Sequence, residues 1–426
     1  MTPRVRMFRL REGFRMSLWF VPAVGVVTAA ALAAALVALD RWIPEGRAPS
    51  LLFGGGAESA RNLLSVIAGS MVTSISLIFS VTMVVLQLAS AQYSPRVLRS
   101  FIRDRLVQAV LAIYIATFVY CLLVLPTVRS AQGEQEEFVP ALAVTAALAL
   151  ALASLALFVR YVHHIAHAIR AVTIINTVAC ETREALEQMY PEKIGDEADR
   201  DVEPPRGPPT AVIAWQGSPG VLVAVDEGAL LEAAATAGAV VEIRRMVGEF
   251  LPGGAPMFDV YGQVADPTVL TECVTVGDER TLHQDAAYGF RQIVDIAERA
   301  LSPGVNDPTT AVQAIDQLHD LLRRLAKRHF PSRLRVDQSG QLRIVAPRLE
   351  WDDYVGLAFD EIRHYSGRSI QVARRLTGAV DDLLTVAPPA RRSALEEQRE
   401  LLARASDREF LDFADKQGAN EGTLIS

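Results

Sequence analysis

Lysine is scarce in this 426-residue chain, which contains 42 basic residues but only Lys193, Lys327 and Lys416 as lysines. No phosphate-binding loop of the G-x-x-x-x-G-K-[ST] type is present, because that motif requires a lysine after its glycines. The scarcity also argues against Schiff-base chemistry, which needs a lysine amine. The remaining positive charge is carried by arginine, and genomic base composition is the simplest explanation of this bias.

Cysteines and catalytic signatures are also few. Cys121, Cys180 and Cys273 have no metal-ligand spacing, so reduced, structural thiols are expected. No nucleophile elbow, zinc-protease motif or dinucleotide fingerprint occurs. We therefore predict no catalytic residues, no cofactor and no enzymatic activity.

Charge is missing from long stretches of the first third of the chain. Residues 63–88 and 106–128 contain no charged side chain. Each run exceeds the ~20 apolar residues that cross a hydrocarbon layer of about 30 Å. Two further apolar runs predict a transmembrane domain over residues 17–162, with spans at about 17–39, 63–89, 106–128 and 138–159.

The basic residues indicate the orientation of these spans. Five arginines oppose one glutamate in the arm formed by residues 1–16, four arginines lie in Ser94–Arg105, and Arg160 and Arg170 follow the fourth span. The loop Arg129–Glu137 is acidic instead. Because basic residues favour the cytoplasmic side, both termini are predicted to be cytoplasmic, in a bacterial inner membrane. The expected partners are the lipid bilayer and further copies of the chain, with no nucleic acid, and any protein or small-molecule partner is unknown.

The second span carries small and polar residues on one helical face, since their spacings are four, three, four and seven. They are Gly69, Thr73, Ser76, Ser80 and Gln87. Such a face suits helix–helix packing, or the lining of a water-filled path in an oligomer. Packing is favoured because a pore commonly carries an ionisable group within the membrane, and these runs have none.

The fourth span is predicted to continue as a helical extension over residues 163–190, so that residues 138–190 would form one helix of roughly 80 Å. His163, His164 and His167 lie within one arc of this helix. They could bind a metal or sense pH. Interfacial histidines explain them more simply, because no carboxylate or cysteine lies close in sequence.

The rest of the chain reads as a cytoplasmic α+β region. Residues 191–209 are a proline-rich linker, and residues 210–264 a small β-rich module with a helix at 227–237. Residues 265–413 form a helical domain with one strand at 342–345, and residues 414–426 a disordered tail. The predicted fold is thus an α-helical membrane protein with four transmembrane helices and a cytoplasmic α+β region, a small β-rich module followed by a helical domain.

Polar residues are concentrated around a break between two amphipathic helices at Ser302-Pro303-Gly304. Arg291, Asp295, Asn306 and Asp307 are therefore a candidate ligand or partner site. Helix capping and solvated faces are the simpler explanation, with Asp307 as the cap and Pro308 in the first helical position.

Several motifs resemble one family of bacterial membrane proteins. They include Phe79-Ser80, Leu86-Gln87, Ser94-Pro95-Arg96, His163-His164-Ile165-Ala166, Tyr288-Gly289-Phe290-Arg291-Gln292, Ala300-Leu301-Ser302-Pro303-Gly304 and Asn306-Asp307-Pro308. With these residues the chain resembles the predicted membrane proteins called domain of unknown function 2254, from about Met7 to Ala405. The resemblance implies a multi-pass inner-membrane protein with a cytoplasmic C-terminal region, and it brings no activity, cofactor or catalytic residue.

These features predict a membrane-anchored regulatory, sensing or scaffold protein whose cytoplasmic domain binds a partner or ligand. In that case residues 191–426 should fold alone. The alternative is an oligomeric channel or transporter lined by the polar face of the second span.

Overall fold

The computed structural model describes residues 19–42, 52–92, 104–130, 137–168, 170–190, 203–366, 369–410 and 412–421. The predicted basic arm at residues 1–16 and most of the arginine-rich turn lie outside these ranges, as does most of the predicted linker. The described residues divide into two compact units, one within residues 11–170 and the other within residues 171–426.

The first unit contains four long apolar helices among its described residues. They are α1 (Phe20–Asp40), α2 (Ala57–Gln92), α3 (Arg105–Val124, extended by a 3₁₀ turn at Leu125–Thr127) and α4 (Ala141–Ala168). All four are long and apolar enough to cross a membrane. The prediction of four apolar helices is therefore confirmed.

Close packing of α1 against α3 depends on small residues spaced four apart. Ala29, Ala33 and Val37 are buried on one face of α1. One turn before Ala29, a Cβ added to Gly25 would lie 3.1 Å from the carbonyl oxygen of Ala112 on α3. Small side chains let two helix backbones approach in this way.

Carboxylates from neighbouring helices and loops cap two of these helices. Asp40, at the end of α1, accepts hydrogen bonds from the backbone N–H of Leu142 (2.9 Å) and of Ala143 (3.0 Å) at the start of α4. Glu137 accepts one from the N–H of Ala57 at the start of α2 (2.6 Å). These contacts satisfy backbone donors that a helix start leaves without an internal partner.

The helix bounds differ from the prediction at two places. Helix α2 begins at Ala57, six residues before the predicted span, because Glu137 caps its first turn. The predicted single helix over residues 138–190 is wrong, since α4 ends at Ala168 and a separate helix begins at Ala171 in the second unit. That second helix is amphipathic, and its apolar face is buried within its own unit.

The second unit begins with this helix, α5 (Ala171–Met189), followed by strands and short helices. These are β1 (Ala211–Ala214), β2 (Gly220–Val225), α6 (Glu227–Ala237), β3 (Val240–Ile243), β4 (Phe250–Leu251), β5 (Pro256–Tyr261), α7 (Thr268–Thr271) and β6 (Val274–Gly277). Longer helices and two strands complete it. They are α8 (Ala286–Leu301), α9 (Pro308–Leu325), β7 (Leu334–Val336), β8 (Leu342–Val345), α10 (Trp351–Ser366), α11 (Ile370–Val386), α12 (Arg392–Glu409) and α13 (Phe413–Asn420).

Two sheets are formed by these strands. The five-stranded sheet has the order β1-β5-β3-β8-β7, and the three-stranded sheet has the order β4-β2-β6. Neighbours pair antiparallel except β3 and β8, which are parallel and align Val241 with Ile344. Strand β8 is the one strand predicted within the helical domain, and β7 is not predicted. The larger sheet therefore joins that domain to the predicted β-rich module.

The helices pack around α8, which is buried along most of its length. Helix α5 lies against α8 and α9, and α10 and α11 cover other sides of the same core. The buried side chains of α5 include Ile174, Ile175, Val178 and Leu186. Thus α5 is an integral part of the second unit.

The predicted disordered tail is wrong for residues 414–420, which lie in α13 (Phe413–Asn420). Arg374 donates to the carbonyl of Gly418 (2.7 Å) and Arg399 to that of Asn420 (3.3 Å). Ala419 is fully buried. Hydrogen bonds from arginines on α11 and α12 therefore hold α13 in place, although the polar composition of this segment does not predict that it packs.

Candidate functional site

A cavity of about 1180 Å³ lies within the second unit. Its wall is built from the ends of secondary-structure elements, since β2 ends there, α6, α8 and α10 begin there, and the last turn of α5 closes one side. The lining includes Gln188, Met189, Tyr190, Ala224, Asp226, Glu227, Met246, Gly248, Glu249, Arg280, His283, Gln284, Asp285, Arg291, Arg335, Arg348, Leu349, Asp353 and Tyr354. Four arginines therefore face one cavity.

The first of these arginines forms a two-pronged ion pair beside the start of α8. Arg280 Nε lies 2.8 Å from Asp285 Oδ2, and Arg280 Nη2 lies 3.0 Å from Asp285 Oδ1. Asp285 also caps α8 by accepting from the N–H of Tyr288 (3.1 Å). Burial raises the pKa of the Asp285 carboxyl, and the hydrogen bond from Arg280 opposes that rise.

Gly248 is the residue that lets the chain pass over this ion pair. Its φ is +96°, a conformation that favours glycine. A Cβ at this position would lie 2.4 Å from Asp285 Oδ2 and 2.9 Å from Arg280 Nε. The turn at residues 246–249 can therefore close on the Arg280–Asp285 pair only without a side chain.

Two further arginines converge on one glutamate. Arg348 Nη2 donates to Glu227 Oε1 at 2.6 Å, and Arg335 Nε donates to Glu227 Oε2 at 3.2 Å. Glu227 is the first residue of α6, Arg335 lies on β7, and Arg348 follows β8. Three distant parts of the chain thus supply one anion and two cations to the cavity.

Gln284 joins the cavity wall to the smaller sheet. Its side-chain Oε1 accepts from the N–H of Val225 (2.9 Å), and its Nε2 donates to the carbonyl of the same residue (3.1 Å). The amide thus continues the hydrogen-bonding pattern of β2, and it fixes the segment that carries Asp285.

Two tyrosines form a buried polar contact at the end of α5. The hydroxyls of Tyr190 and Tyr354 lie 3.0 Å apart, and the rings pack edge to face with Phe290 and Phe330 nearby. Burial raises the pKa of both hydroxyls, that of Tyr354 well above its usual value. Both groups are therefore neutral at physiological pH.

The predicted cytoplasmic site residues fall into two groups. Arg291 lines the cavity and pairs with Asp295 (Nε to Oδ1, 2.8 Å), Glu361 (Nη1 to Oε1, 2.5 Å) and Glu298 (Nη2 to Oε2, 3.5 Å). Asn306 and Asp307 instead lie in the turn after α8. Asp307 caps α9, as predicted, through the N–H of Thr310 (3.1 Å). Asn306 has φ +49° and is the sole non-glycine with positive φ in the part of the chain that the structure describes.

We expect the carboxylates around Arg291 to make stability depend on pH. Burial, then the proximity of Glu361, raises the pKa of Glu298 from 4.5 to about 7. A raised folded-state pKa gives stability that is fully present below pH 4.5 and is lost as the pH rises through about 7. Glu298→Gln should remove this loss, which amounts to about 1–2 kcal/mol.

Thermal unfolding of the purified protein between about pH 4 and pH 8 measures this effect, because that range contains both pKa values, 4.5 and about 7. The melting temperature of the wild type should fall relative to that of Glu298→Gln as the pH rises. Glu400→Gln, an exposed position on α12, is the control and should follow the wild type. Parallel pH profiles for wild type and Glu298→Gln would contradict the assignment.

The polar face of α2 lies on the surface of the first unit. Gly69, Thr73, Ser76, Ser80 and Gln87 are all exposed, and a Cβ at Gly69 would meet no atom within 4 Å. The hydroxyl of Ser76 donates to the carbonyl of Val72 and that of Ser80 to the carbonyl of Ser76, both one turn back. Helix packing within the unit therefore does not account for this face.

The three predicted histidines are on α4, but they do not converge. His164 Nε2 lies 2.5 Å from Asp104 Oδ2, while the other oxygen of Asp104 caps α3 through the N–H of Leu106 (2.8 Å). The rings of His163 and His167 lie 4.6 Å apart and are exposed. Among the described residues no cluster of three or more metal-binding side chains is found.

Five charged residues of this cavity are not predicted from the sequence: Glu227, Arg280, Asp285, Arg335 and Arg348. Asp285 precedes an amphipathic helix and could have been predicted as a cap. The pairing of Glu227 with Arg335 and Arg348 joins residues more than 100 positions apart. No local pattern indicates such contacts.

Four long apolar helices followed by a mixed helical and β-sheet unit define the class of the protein as a predicted membrane protein with a large second domain. The chain matches the family described as predicted membrane protein, domain of unknown function 2254, over residues 15–382, and it belongs to that family. The resemblance noted from its motifs is thus confirmed.

Its relatives in mycobacteria are uncharacterized. One uncharacterized protein of Mycobacterium bovis and one of Mycobacterium tuberculosis are each 36% identical to it over 417 residues, which is 94% of this chain and 78% of each relative. No solved structure matches the chain. The chain therefore belongs to a family of predicted membrane proteins of unknown function.

Proposed function

We propose that this protein is a membrane-anchored sensor whose second unit binds a small ligand in the cavity. Helices α1 to α4 cross the bacterial inner membrane, and residues 171–426 lie in the cytoplasm. The observation that carries the proposal is the cavity of about 1180 Å³ with four arginines in its wall. Pockets for small molecules are concave and contain a few convergent polar groups, and this cavity has that character.

The surface of the first unit supports the membrane anchor. Large apolar side chains such as Val66, Leu152, Leu155 and Val159 are exposed there. A soluble monomer rarely exposes apolar patches of this extent, whereas hydrocarbon is a suitable solvent for them. The distribution of arginine supports the cytoplasmic placement of both termini.

Helix α5 supports a connection between ligand binding and the membrane helices. Its last residues, Gln188 and Met189, line the cavity together with Tyr190. Its first residue, Ala171, follows the end of α4 by three positions. A ligand that changes the position of α5 would therefore act on α4, the fourth span, through the short segment that joins the two helices.

Native mass spectrometry of the full chain, purified from bacterial membranes, tests the ligand-binding function. We expect a small molecule to be retained by the wild type and lost from Ala224→Phe, which fills the cavity from β2. Ala214→Phe, at a half-buried position on β1 outside the cavity, is the matched control and should retain it. Hydrogen exchange of residues 171–190 should be faster in Ala224→Phe than in the control. An empty wild type with unchanged exchange in Ala224→Phe would refute the proposal.

A channel remains a second candidate because the polar face of α2 is exposed on the first unit. In an oligomer this face would line a neutral pore or pack against a neighbouring copy. Ion flux through liposomes containing the protein tests the pore. Ser76→Leu should block the flux, and Ser70→Leu, about 120° away from Ser76 around the same helix, should not. Flux that is absent, or equal in both variants, would refute the channel.

A further inference from the structure

We propose that the ligand is an organic phosphate, and that its phosphate group is held by Arg335 and Arg348 in the place that Glu227 occupies in this structure. This inference rests on the sensor function proposed above and names the chemical class of its ligand. It is carried by the geometry of the two guanidinium groups, by the exposure of the glutamate between them, and by the size of the cavity.

The two arginines already hold an anion. Arg348 contacts one oxygen of the Glu227 carboxylate at 2.6 Å and Arg335 contacts the other at 3.2 Å. Guanidinium groups hold carboxylate and phosphate oxygens with the same planar set of N–H donors. A site that fits one of these anions between two arginines therefore also fits the other.

Arg335 is held in position by bonds that do not involve Glu227. Its Nη1 donates to the carbonyl of Ser332 (2.5 Å) and to that of Leu334 (3.3 Å). The guanidinium therefore keeps its orientation when the carboxylate leaves. Such preorganisation lowers the entropic cost of binding a new anion.

Glu227 is the member of the cluster that can move. Its side chain is 37% exposed, against 24% for Arg335 and 21% for Arg348. Asp226, not Glu227, caps α6 through the N–H of Ala229 (3.1 Å), so the helix start does not depend on the glutamate. The carboxylate thus acts as an internal competitor that a more highly charged phosphate displaces.

The space next to this cluster defines the rest of the ligand. A cavity of about 1180 Å³ is larger than inorganic phosphate needs and reaches the size of pockets for nucleotide-sized molecules, about 300–1,000 Å³. Met246 and Leu349 provide apolar lining, and the starts of α6 and α8 lie at the same cavity. Asp226 and Asp285 already cap these two helix starts, so the ligand anion is held by the arginines and not by the helix dipoles.

The test measures pyrophosphate binding to the full-length protein in detergent, by calorimetry and by thermal shift, with chloride added to keep the ionic strength constant. Pyrophosphate should raise the melting temperature of the wild type by mass action. Arg335→Gln and Arg348→Gln should each weaken binding about tenfold or more, the effect of losing one charge-assisted hydrogen bond. Glu227→Gln should strengthen it several-fold by removing the competing charge.

Two further variants keep the result interpretable. Arg343→Gln is the matched control, because Arg343 on β8 pairs with Asp337 (2.7 Å) outside the cavity, and it should bind like the wild type. Arg335→Lys keeps the charge but loses the planar fork, so its affinity should lie between those of the wild type and Arg335→Gln. Equal binding in all variants, or an equal loss in Arg343→Gln, overturns the proposal.

The phosphate could come from a soluble ester or from a lipid headgroup. Pyrophosphate binding that is unchanged when phosphatidic acid is added to neutral nanodiscs indicates a soluble ligand, whereas competition by that lipid indicates a headgroup. If pyrophosphate fails to bind but native mass spectrometry shows a ligand that Ala224→Phe loses, the sensor function stands and the phosphate assignment is wrong. If both experiments are negative, both proposals fail.

Discussion

A fragment of residues 171–426 should fold by itself, whereas a fragment that starts at Pro191 should not. The shorter fragment lacks α5, whose Ile174, Ile175, Val178 and Leu186 are buried against the second unit. Burying each such side chain contributes about 1.5–3 kcal/mol, so four of them contribute about 6–12 kcal/mol. This approaches the whole stability of a typical domain, about 5–15 kcal/mol.

Circular dichroism and urea unfolding of the two purified fragments measure the difference. A fragment of residues 171–410 is a suitable control, because it also shortens the second unit but removes α13 instead of α5. Among the α13 residues with described side chains, Ala419 is the one buried apolar residue. We expect the control to unfold cooperatively and the fragment from Pro191 to aggregate or lack a transition. Cooperative unfolding of residues 191–426 at the same urea concentration as 171–426 would show that α5 is dispensable. The structure thus revises the expectation that residues 191–426 fold alone.

Replacing Gly289 by alanine should destabilise the second unit by about 3 kcal/mol, at the upper end of the range for overpacking. Gly289 lies on α8 where α5 crosses it, and an added Cβ would be 1.9 Å from Thr182 Oγ1 and 2.8 Å from Thr182 Cβ. Thr182 is completely buried, so it has no free space into which to move. The two helices would have to separate.

A double-mutant cycle with Thr182→Ala isolates this contact. The second substitution removes the hydroxyl and the methyl group, so it should restore part of the lost stability in the Gly289→Ala background. Gly304→Ala is the control, because a Cβ at Gly304 would meet no atom within 4 Å. Additive losses for Gly289→Ala and Thr182→Ala would show that the two side chains do not compete for the same space.

Local sequence patterns predicted a helix or strand well where the residues of that element alone determine where it begins and ends. The four apolar helices follow from uncharged runs, and the helix at residues 227–237 and the strand at 342–345 lie where their sequences place them. The sequence predicts that Asp307 caps α9, because an aspartate followed by a proline is a strong helix-start signal, and the structure confirms this cap. In each case the physical cause lies within about ten residues.

What the sequence did not reveal depends on contacts between distant residues. The periodicity of residues 171–190 correctly indicates a helix, but it does not show that the apolar face packs on α8 and α9. Residues 413–420 are ordered by Arg374 and Arg399, not by their own composition. The cavity is assembled from the ends of several elements, so the charges of Glu227, Arg335 and Arg348 look like ordinary surface charges when the chain is read in order.

The parallel pairing of β3 with β8 affects how the protein is made. Val241 pairs with Ile344, which is synthesised about 100 residues later, so β3 leaves the ribosome before its partner strand exists. At roughly 5–20 residues per second this is a delay of about 5–20 seconds on the ribosome. The exposed edge of β3 meanwhile has no neighbour on that side, so it is the point at which a nascent chain would be open to mispairing or to capture by a chaperone.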